Sequence, residues 1–271
     1  MTNHALTLSR SNLSAFITCR RRFQLQTLER LAWPDLALDL RQRATVEQGQ
    51  NFHRILERFF SRLAVDESEI PDQQLRDWWQ RFEQRGPVLP EGRRLPEIRL
   101  TVPAGSHYLI GRFDLVIIEN RDAVTHAHIF DWKTSRPRSV SELQSDWQTR
   151  LYLAMIAQSG SALLEDGNRL EAGDITLTYW YTNDPNTSRH INYSQSQHEQ
   201  NWSEICAIID EIDGCLQGDQ WPLTANWSHC RKCPYQAYCG RWEAGRHETI
   251  IADGPAPYDY ELDFLLEPET P

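Results

Sequence analysis

Two acids and a lysine in the middle of the chain have types and spacing that suit chemistry on a phosphate ester. Asp131 and Lys133 lie in the stretch HIFDWKTSRP, residues 128–137, and Asp114 ends the stretch GRFD. Side chains two positions apart in a β-strand point to the same face. Carboxylates on neighbouring strands, about 5 Å apart, can bind one divalent cation. A nearby ammonium can then orient water or stabilise the charge that develops on phosphorus.

The choice of lysine at position 133 is informative because the chain otherwise uses arginine. Among 28 basic residues only Lys133 and Lys232 are lysines. A guanidinium cannot release a proton and holds a different hydrogen-bonding geometry. The use of lysine at position 133 therefore indicates that the position requires an ammonium group rather than a guanidinium. The alternative is a surface ion pair between Asp131 and Lys133 at a strand end, which is the commoner origin of an isolated D-x-K triplet.

The cysteines form a second candidate site. Three of them follow a C-x2-C-x5-C pattern in CRKCPYQAYC, residues 230–239, which predicts a metal or iron–sulfur centre. Zinc is an alternative, because a set of four thiolates also suits that ion, and because His229 directly precedes Cys230, the first of these three cysteines. Cys206 and Cys215 lie on the preceding predicted helix, and we expect them to be small buried apolar residues rather than metal ligands.

The hydrophobic periodicity predicts the elements that must position these residues. Helices are predicted over 12–31 (capped by Ser11), 42–64, 72–85, 141–158 (capped by Ser141) and 196–215. Strands are predicted over 95–102, 108–118, 124–131 and 175–182, with a short strand at 190–193 and a hairpin turn at 119–122. This order predicts an α+β fold in which a small mixed central sheet is flanked by helices.

Composition limits the classes of protein to which the chain can belong. No apolar run is long enough to span a membrane, and the N-terminus lacks a secretory signal, so we expect a cytoplasmic protein. The net charge of −10 argues mildly against nucleic acid. However, residues 248–271 contain seven acids and no basic residue, whereas residues 10–58 contain nine arginines against five acids. A locally basic region can still attract phosphate.

Four short motifs, in this order and at these spacings, resemble those of the RecB-like branch of the PD-(D/E)XK nuclease superfamily. They are QGQNFHRILE with His53, GRFDLV with Asp114, FDWKTS with Asp131 and Lys133, and a Q-x3-Y pair at Gln148 and Tyr152. The resemblance covers about residues 9–240 and implies a restriction-endonuclease-like α/β core. No single motif is specific, but four in order are.

The resemblance implies a role for each matching residue. It implies that a catalytic Mg²⁺ or Mn²⁺ ion is bound by His53, Asp114, Asp131 and the Trp132 carbonyl. It further implies that Lys133 acts on the attacking water or the transition state, and that Gln148 and Tyr152 hold the geometry of the active site or the DNA backbone. Alternatives remain from the residues themselves, because a lone histidine on an apolar helix is usually a core residue, and Tyr152 is as compatible with the core as with the site. Glu97 is a weaker candidate, since it also suits a solvated strand position.

The cysteine spacing resembles that of the iron–sulfur members of this branch, which include AddB-type helicase-nucleases, exonuclease V and CRISPR adaptation nucleases. These proteins have one early cysteine and three late ones, and here the set would be Cys19, Cys230, Cys233 and Cys239. The resemblance implies a [4Fe–4S] cluster that joins the N-terminal and C-terminal helical elements. It would place the arginines at 20–22 along the path of the DNA.

The predicted activity is metal-dependent hydrolysis of DNA, as an exonuclease on single strands or DNA ends. The alternative is a catalytically dormant iron–sulfur or zinc module that binds DNA or a helicase partner. A helicase, repair or CRISPR partner is compatible with the resemblance, since the chain has no nucleotide-binding motif of its own. Four segments are predicted: a helical region at 1–95, the nuclease core at 96–220, the cysteine cluster at 221–245 and an acidic flexible tail at 246–271.

Overall fold

The protein folds around a single six-stranded mixed sheet. The computed structural model describes residues 5–31, 40–121, 124–164, 170–231 and 233–241. Within these ranges the strands are β1 (Thr7–Leu8), β2 (Arg93–Ala104), β3 (His107–Arg121), β4 (Val124–Lys133), β5 (Ile175–Tyr181) and β6 (Asp184–Asn192).

Strand β3 is the longest strand and joins the two halves of the sheet. Antiparallel β2 pairs along one of its edges. Along the other edge, β1 pairs with the beginning of β3 in parallel, and β4 pairs with its end in an antiparallel direction. The sheet continues from β4 through parallel β5 to antiparallel β6. The parallel β4–β5 pair requires a crossover connection, which contains two of the helices.

Helices cover both faces of this sheet. They are α1 (Arg10–Thr18), α2 (Arg20–Phe23) followed by a π-helical turn (Gln24–Leu28), α3 (Leu40–Phe60), α4 (Gln73–Arg85), α5 (Val140–Ser145), α6 (Trp147–Ser159) and α7 (Gln195–Gly218). Short 3₁₀ turns lie at Glu67–Glu69, Gly160–Leu163, Ala172–Asp174 and Trp227–Cys230. The predicted α+β class is confirmed.

The two faces of the sheet bury different side chains. The face towards α1, α6 and α7 buries mainly aliphatic residues such as Leu109, Ile129 and Leu177. The face towards α3 and α4 buries an aromatic cluster that includes Phe52, Trp132 and Trp180. Successive strand residues alternate between the faces, so the apolar stretches of β3 and β4 serve both cores. The centre of the sheet is therefore covered by a core on each face.

The predicted helix over 12–31 is wrong in one respect that matters for the cysteines. The backbone leaves the helical conformation at Cys19, with φ −165° and ψ 115°, and a new helix begins at Arg20. Helix α1 begins two residues earlier than predicted because Ser9, rather than Ser11, is the N-cap and forms a capping box with Asn12. The break separates the Cys19 side chain from the regular helical surface.

Three other predicted boundaries need correction. The helix predicted over 141–158 is two helices, because Asp146 ends α5 and caps α6, and Ser139 rather than Ser141 caps α5. Residues 119–121, predicted to form a hairpin turn, continue strand β3. The short strand predicted at 190–193 is the end of a longer one, β6. The two-residue strand β1 lacks a sequence signal because it is too short to show a period.

No helix in the described ranges is long and apolar enough to cross a membrane. The tail predicted to be flexible, residues 246–271, lies outside the described residues.

Candidate active site

Asp114 on β3 and Asp131 on β4 lie where the antiparallel pairing of the two strands ends. The last pair there is Leu115 with Phe130, and each aspartate is the next residue beyond that pair. The backbone N–H of Trp132 donates a hydrogen bond to Asp114 Oδ2 at 2.9 Å. Asp131 is buried, with 5% of its surface exposed. A buried carboxylate without a cation or donors is strongly disfavoured, so these groups require partners.

Helix α3 supplies His53 to this pair of carboxylates. The His53 Nδ1 atom lies 3.2 Å from Asp114 Oδ1. One turn earlier in the same helix, a Cβ atom added at Gly49 would lie 3.2 Å from Thr134 Oγ1. The helix can therefore approach the end of β4 closely because residue 49 has no side chain. This close approach positions His53 over the sheet.

Glu97 joins the site from β2, the strand antiparallel to β3. The pairs Pro96–Leu115 and Ile98–Phe113 place it opposite Asp114. Its φ of +50° lies in the left-handed region, which a residue with a Cβ atom rarely adopts within a strand. Arg112 forms an ion pair with Glu97 at 3.2 Å.

One set of at least three potential metal-ligand atoms, all within 4.8 Å of one another, occurs in the described ranges. It comprises His53, Glu97 and Asp114. Asp131 is not in this set and instead faces Lys133. The sequence ranked Glu97 below Asp131 as a ligand, whereas the geometry gives Glu97 at least equal standing.

Lys133 is held in the interior beside Asp131. Its side chain is 5% exposed, and its Nζ lies 3.0 Å from Asp131 Oδ1. Gln148, near the start of α6, connects both groups, because its Oε1 accepts from Lys133 at 3.3 Å and its Nε2 donates to Asp131 at 3.2 Å. The surface ion pair considered for Asp131 and Lys133 is therefore wrong, since both residues are buried.

The four ionisable groups shift one another's pKa values. Burial alone would raise the pKa of Asp114, but the charge and hydrogen bond of His53, with the Trp132 N–H and Lys133, lower it. Burial, reinforced by the charge of Asp114, raises the pKa of Glu97 to about 7. Burial raises the pKa of Asp131 to about 6, although Lys133 opposes the shift. Burial disfavours protonated His53, but the surrounding carboxylates outweigh it and raise its pKa.

Comparison with known proteins now identifies the family. The model of the PD-(D/E)XK nuclease superfamily matches residues 7–101 and 79–240. The chain belongs to the PD-(D/E)XK nuclease superfamily. Among curated proteins none matches it.

Two solved structures are similar to this chain at low sequence identity. One is an inferred exonuclease from Eubacterium rectale, at 13% identity, a TM-score of 0.50 and coverage of 92% of this chain and 91% of that one. Another is the protein SSO0001, at 13% identity, a TM-score of 0.43 and coverage of 88% of both chains. At these identities the likeness concerns the fold alone.

The remaining predicted site residue of the nuclease, Tyr152, lies in the core. It is 5% exposed, and its ring centroid is 4.6 Å from that of Phe113. It follows Gln148 by one helical turn on α6, so both face the sheet. Its position supports the packing of α6 against β3, and its role in the active site stays a prediction.

The four predicted cluster cysteines of the nuclease meet around one cavity. Cys19, Cys230, Cys233 and Cys239 all line one small cavity, together with Arg22 and Arg241. All four are free thiols. The Arg241 guanidinium donates a hydrogen bond to Cys230 Sγ at 3.4 Å. Cys206 and Cys215 do not line this cavity and are partly buried on α7.

Proposed function

We propose that this protein is a metal-dependent DNA nuclease that cuts single strands or DNA ends and carries a structural [4Fe–4S] cluster. The observation that carries the proposal is the buried pair of Asp131 and Lys133 beside Asp114, His53 and Glu97. Membership of a nuclease superfamily supports the reaction class.

The donor set fits a hard divalent cation. Two carboxylates and an imidazole with ligand atoms within 4.8 Å leave room for the waters and phosphate oxygens that Mg²⁺ and Mn²⁺ prefer. Burial, reinforced by the charge of Asp114, raises the pKa of Glu97 to about 7, and a bound cation would offset both effects by favouring the carboxylate. We infer that His53, Glu97, Asp114 and Asp131, with the Trp132 carbonyl, hold the ion. Such an ion, when bound, polarises a phosphodiester and lowers the pKa of water.

The chain's own groups then orient the reaction. Asp131 and Gln148 fix the Lys133 ammonium at the edge of the ligand set, where it can hydrogen-bond the attacking water or a phosphate oxygen. Burial excludes bulk water and strengthens these interactions. The Trp132 N–H holds Asp114 so that its other oxygen faces His53.

The cysteine site fits a cluster better than a single zinc ion. Four thiols line one cavity, and two arginines beside it can offset the negative charge of a cluster with four thiolates. A tetrahedral zinc ion needs its sulfurs within about 3.8 Å of one another, given a Zn–S bond of about 2.3 Å. Within the described ranges no three cysteine sulfurs lie within 4.8 Å of one another. The wider spacing suits a larger cluster.

Single-stranded or end-containing DNA is the proposed substrate, and a helicase or repair protein the proposed partner. Three consecutive arginines, Arg20–Arg22, follow the first cluster cysteine. The Arg21 guanidinium lies 5.9 Å from the ring centroid of Tyr238, a half-exposed aromatic. Arginine beside an exposed aromatic ring is typical of surfaces on which bases of a single strand stack.

The test is cleavage of end-labelled single-stranded DNA by anaerobically purified protein with Mg²⁺ or Mn²⁺. We expect metal-dependent cleavage that Lys133→Ala reduces by about 10²-fold or more, the size of a lost catalytic group. Folding and visible cluster absorbance of the variant should match those of the natural protein. Equal cleavage by both proteins would reject the role of Lys133. Binding of DNA without cleavage would favour the dormant module.

A further inference from the structure

A tyrosine from the neighbouring strand lies against the buried lysine. Parallel strand β5 pairs with β4 so that Tyr179 is in register with Asp131. Residues in register on adjacent strands place their side chains on the same face. The Nζ of Lys133 lies 5.4 Å from the centroid of the Tyr179 ring. Both side chains are almost completely buried.

We propose that Tyr179 is a positioning residue for Lys133, which it holds by a cation–π contact. This inference rests on the proposed function of Lys133 and adds a residue that none of the four motifs contains. The contact is within the distance at which an ammonium is attracted to an aromatic ring, and the attraction is larger when both groups are shielded from water.

The ring is itself held in place from α6. The Tyr179 hydroxyl and the Thr149 hydroxyl are 2.9 Å apart and share a hydrogen bond. Thr149 follows Gln148, which bonds Lys133 and Asp131 through its two amide atoms. Two adjacent residues of one helix thus fix both the lysine and the ring beneath it. Burial, with the charge of Asp131, raises the pKa of Tyr179 well above its usual value, so the ring stays neutral.

The physical need for such a contact follows from the geometry of the ion pair. A lysine has four rotatable side-chain bonds, and an ion pair with Asp131 alone would draw the ammonium towards the carboxylate. Gln148 and the Tyr179 ring add contacts from other directions. A group held within a fraction of an ångström of its working position acts faster than one that must search for it.

The alternative is that Tyr179 has only a packing role in the core. Its ring lies in the large apolar cluster, which is consistent with that role. The two roles differ in what happens to the lysine: a filler supports the fold in general, whereas a positioning residue changes the environment and location of one ammonium.

The small number of lysines makes this difference measurable. With lysine labelled with ¹³C at the ε carbon, the NMR spectrum contains two side-chain signals, from Lys133 and Lys232. The signal lost in Lys133→Arg identifies Lys133. An aromatic ring below the ammonium shifts the ε protons upfield of the usual lysine position. We expect this shift in the natural protein and in Tyr179→Phe, and its loss in Tyr179→Leu.

The matched control is Tyr193→Leu, which removes another buried tyrosine whose hydroxyl receives a hydrogen bond from Asn201. It should leave the Lys133 signal unchanged. If Tyr179→Leu fails to fold, Tyr179→Met removes the ring at closer volume, with the same expectation. A Lys133 signal at the usual position in the natural protein, or an unshifted signal in a folded ring-less variant, would overturn the proposal.

Kinetics provide the second readout. In Tyr179→Leu we expect kcat to fall about 10- to 100-fold, the usual effect of losing a group that orients a catalytic residue, with KM little changed. Tyr179→Phe should restore most of kcat. If the natural protein cuts no DNA, the proposed function fails, but the NMR experiment still decides whether Tyr179 holds Lys133.

Discussion

At the scale of single residues, the carboxylates of the site prefer different charge states. The pKa of Asp114 is lowered, whereas the pKa values of Glu97 and Asp131 are raised to about 7 and about 6. Without a metal ion, part of the site therefore binds protons near neutral pH. A cation that binds there must displace them, so metal binding and proton release are linked.

This linkage predicts how affinity for Mn²⁺ depends on pH. Below pH 7 Glu97 is largely protonated, so the proton competes with Mn²⁺ for its carboxylate. We therefore expect the affinity for Mn²⁺ to rise between pH 6 and pH 8. Glu97→Gln should weaken binding roughly tenfold or more at pH 8 and flatten the dependence, because the amide has no proton to release. Isothermal titration with Mn²⁺ at pH 6, 7 and 8 measures both effects.

The control for this variant is Glu119→Gln, which alters an acid that pairs with His128 on the same sheet. Its Mn²⁺ titration should match that of the natural protein at each pH. Identical titrations for Glu97→Gln and the natural protein would show that Glu97 is not a ligand.

The sequence predicted the residues that share a motif but undervalued Glu97. Asp114, Asp131 and Lys133 lie on strands with strong apolar periodicity, so their proximity could be predicted. The register of β2 against β3 places Glu97 opposite Asp114, and its left-handed backbone adds a local distortion. Neither feature has a sequence period. The sequence signal that could have pointed to Glu97 was Pro96, the proline directly before it.

At the scale of elements, the site depends on how closely α3 approaches the end of β4. Gly49 allows this approach because even a Cβ atom there would lie within 3.2 Å of Thr134 Oγ1. The same helix carries His53 one turn later. The glycine thus sets the distance between the histidine and the carboxylates, at a cost in helix propensity of about 1 kcal/mol relative to alanine.

We expect Gly49→Leu to push α3 away from the sheet and move His53 from Asp114. Mn²⁺ affinity and DNA cleavage should both fall by roughly tenfold or more, the usual scale for disturbing the support of a metal ligand. The matched control is Gly214→Leu in α7, where a Cβ atom would meet nothing within 4 Å. Normal Mn²⁺ binding by folded Gly49→Leu would contradict the proposed role of the close approach.

Periodicity predicted where helices occur but not where they break. Asp146 interrupts the segment predicted as one helix because its side chain accepts a hydrogen bond from the Gln148 N–H and starts α6 anew. Cys19 breaks the first helix without such a signal. One break is at the predicted cluster cysteine Cys19 itself, and the other lies two residues before Gln148, so both occur at the candidate sites, where tertiary contacts outweigh local preferences.

At the scale of the whole molecule, the first and last described segments pack together beside the sheet. Thr18 and His229, 211 residues apart, are joined by a hydrogen bond of 3.2 Å that the His229 Nδ1–H donates to the backbone oxygen of Thr18. The Tyr235 hydroxyl donates to the Leu31 carbonyl at 2.9 Å. The cavity lined by the four cysteines lies at this junction. The sequence predicted the junction only through the cysteine spacing.

A cluster at this junction would close a loop that contains the whole nuclease core. A cross-link over such a length stabilises by about 4–5 kcal/mol on the loop-entropy estimate, which corresponds to roughly 10 °C in Tm for a protein of this size. We therefore expect Cys19→Ala to lose the visible absorbance and iron of the cluster and to lower Tm by about that amount. Cys206→Ala, which alters a cysteine away from the cavity, should retain all three properties.

Metal analysis of anaerobically purified protein decides the identity of the metal, because a [4Fe–4S] cluster predicts four irons per chain. If the natural protein instead contains one zinc ion per chain, and Cys19→Ala loses it, the proposed cross-link is retained but the iron–sulfur cluster is rejected. Unchanged Tm with the metal removed would instead mean that direct contacts such as those of Tyr235 and His229 suffice to hold the ends together.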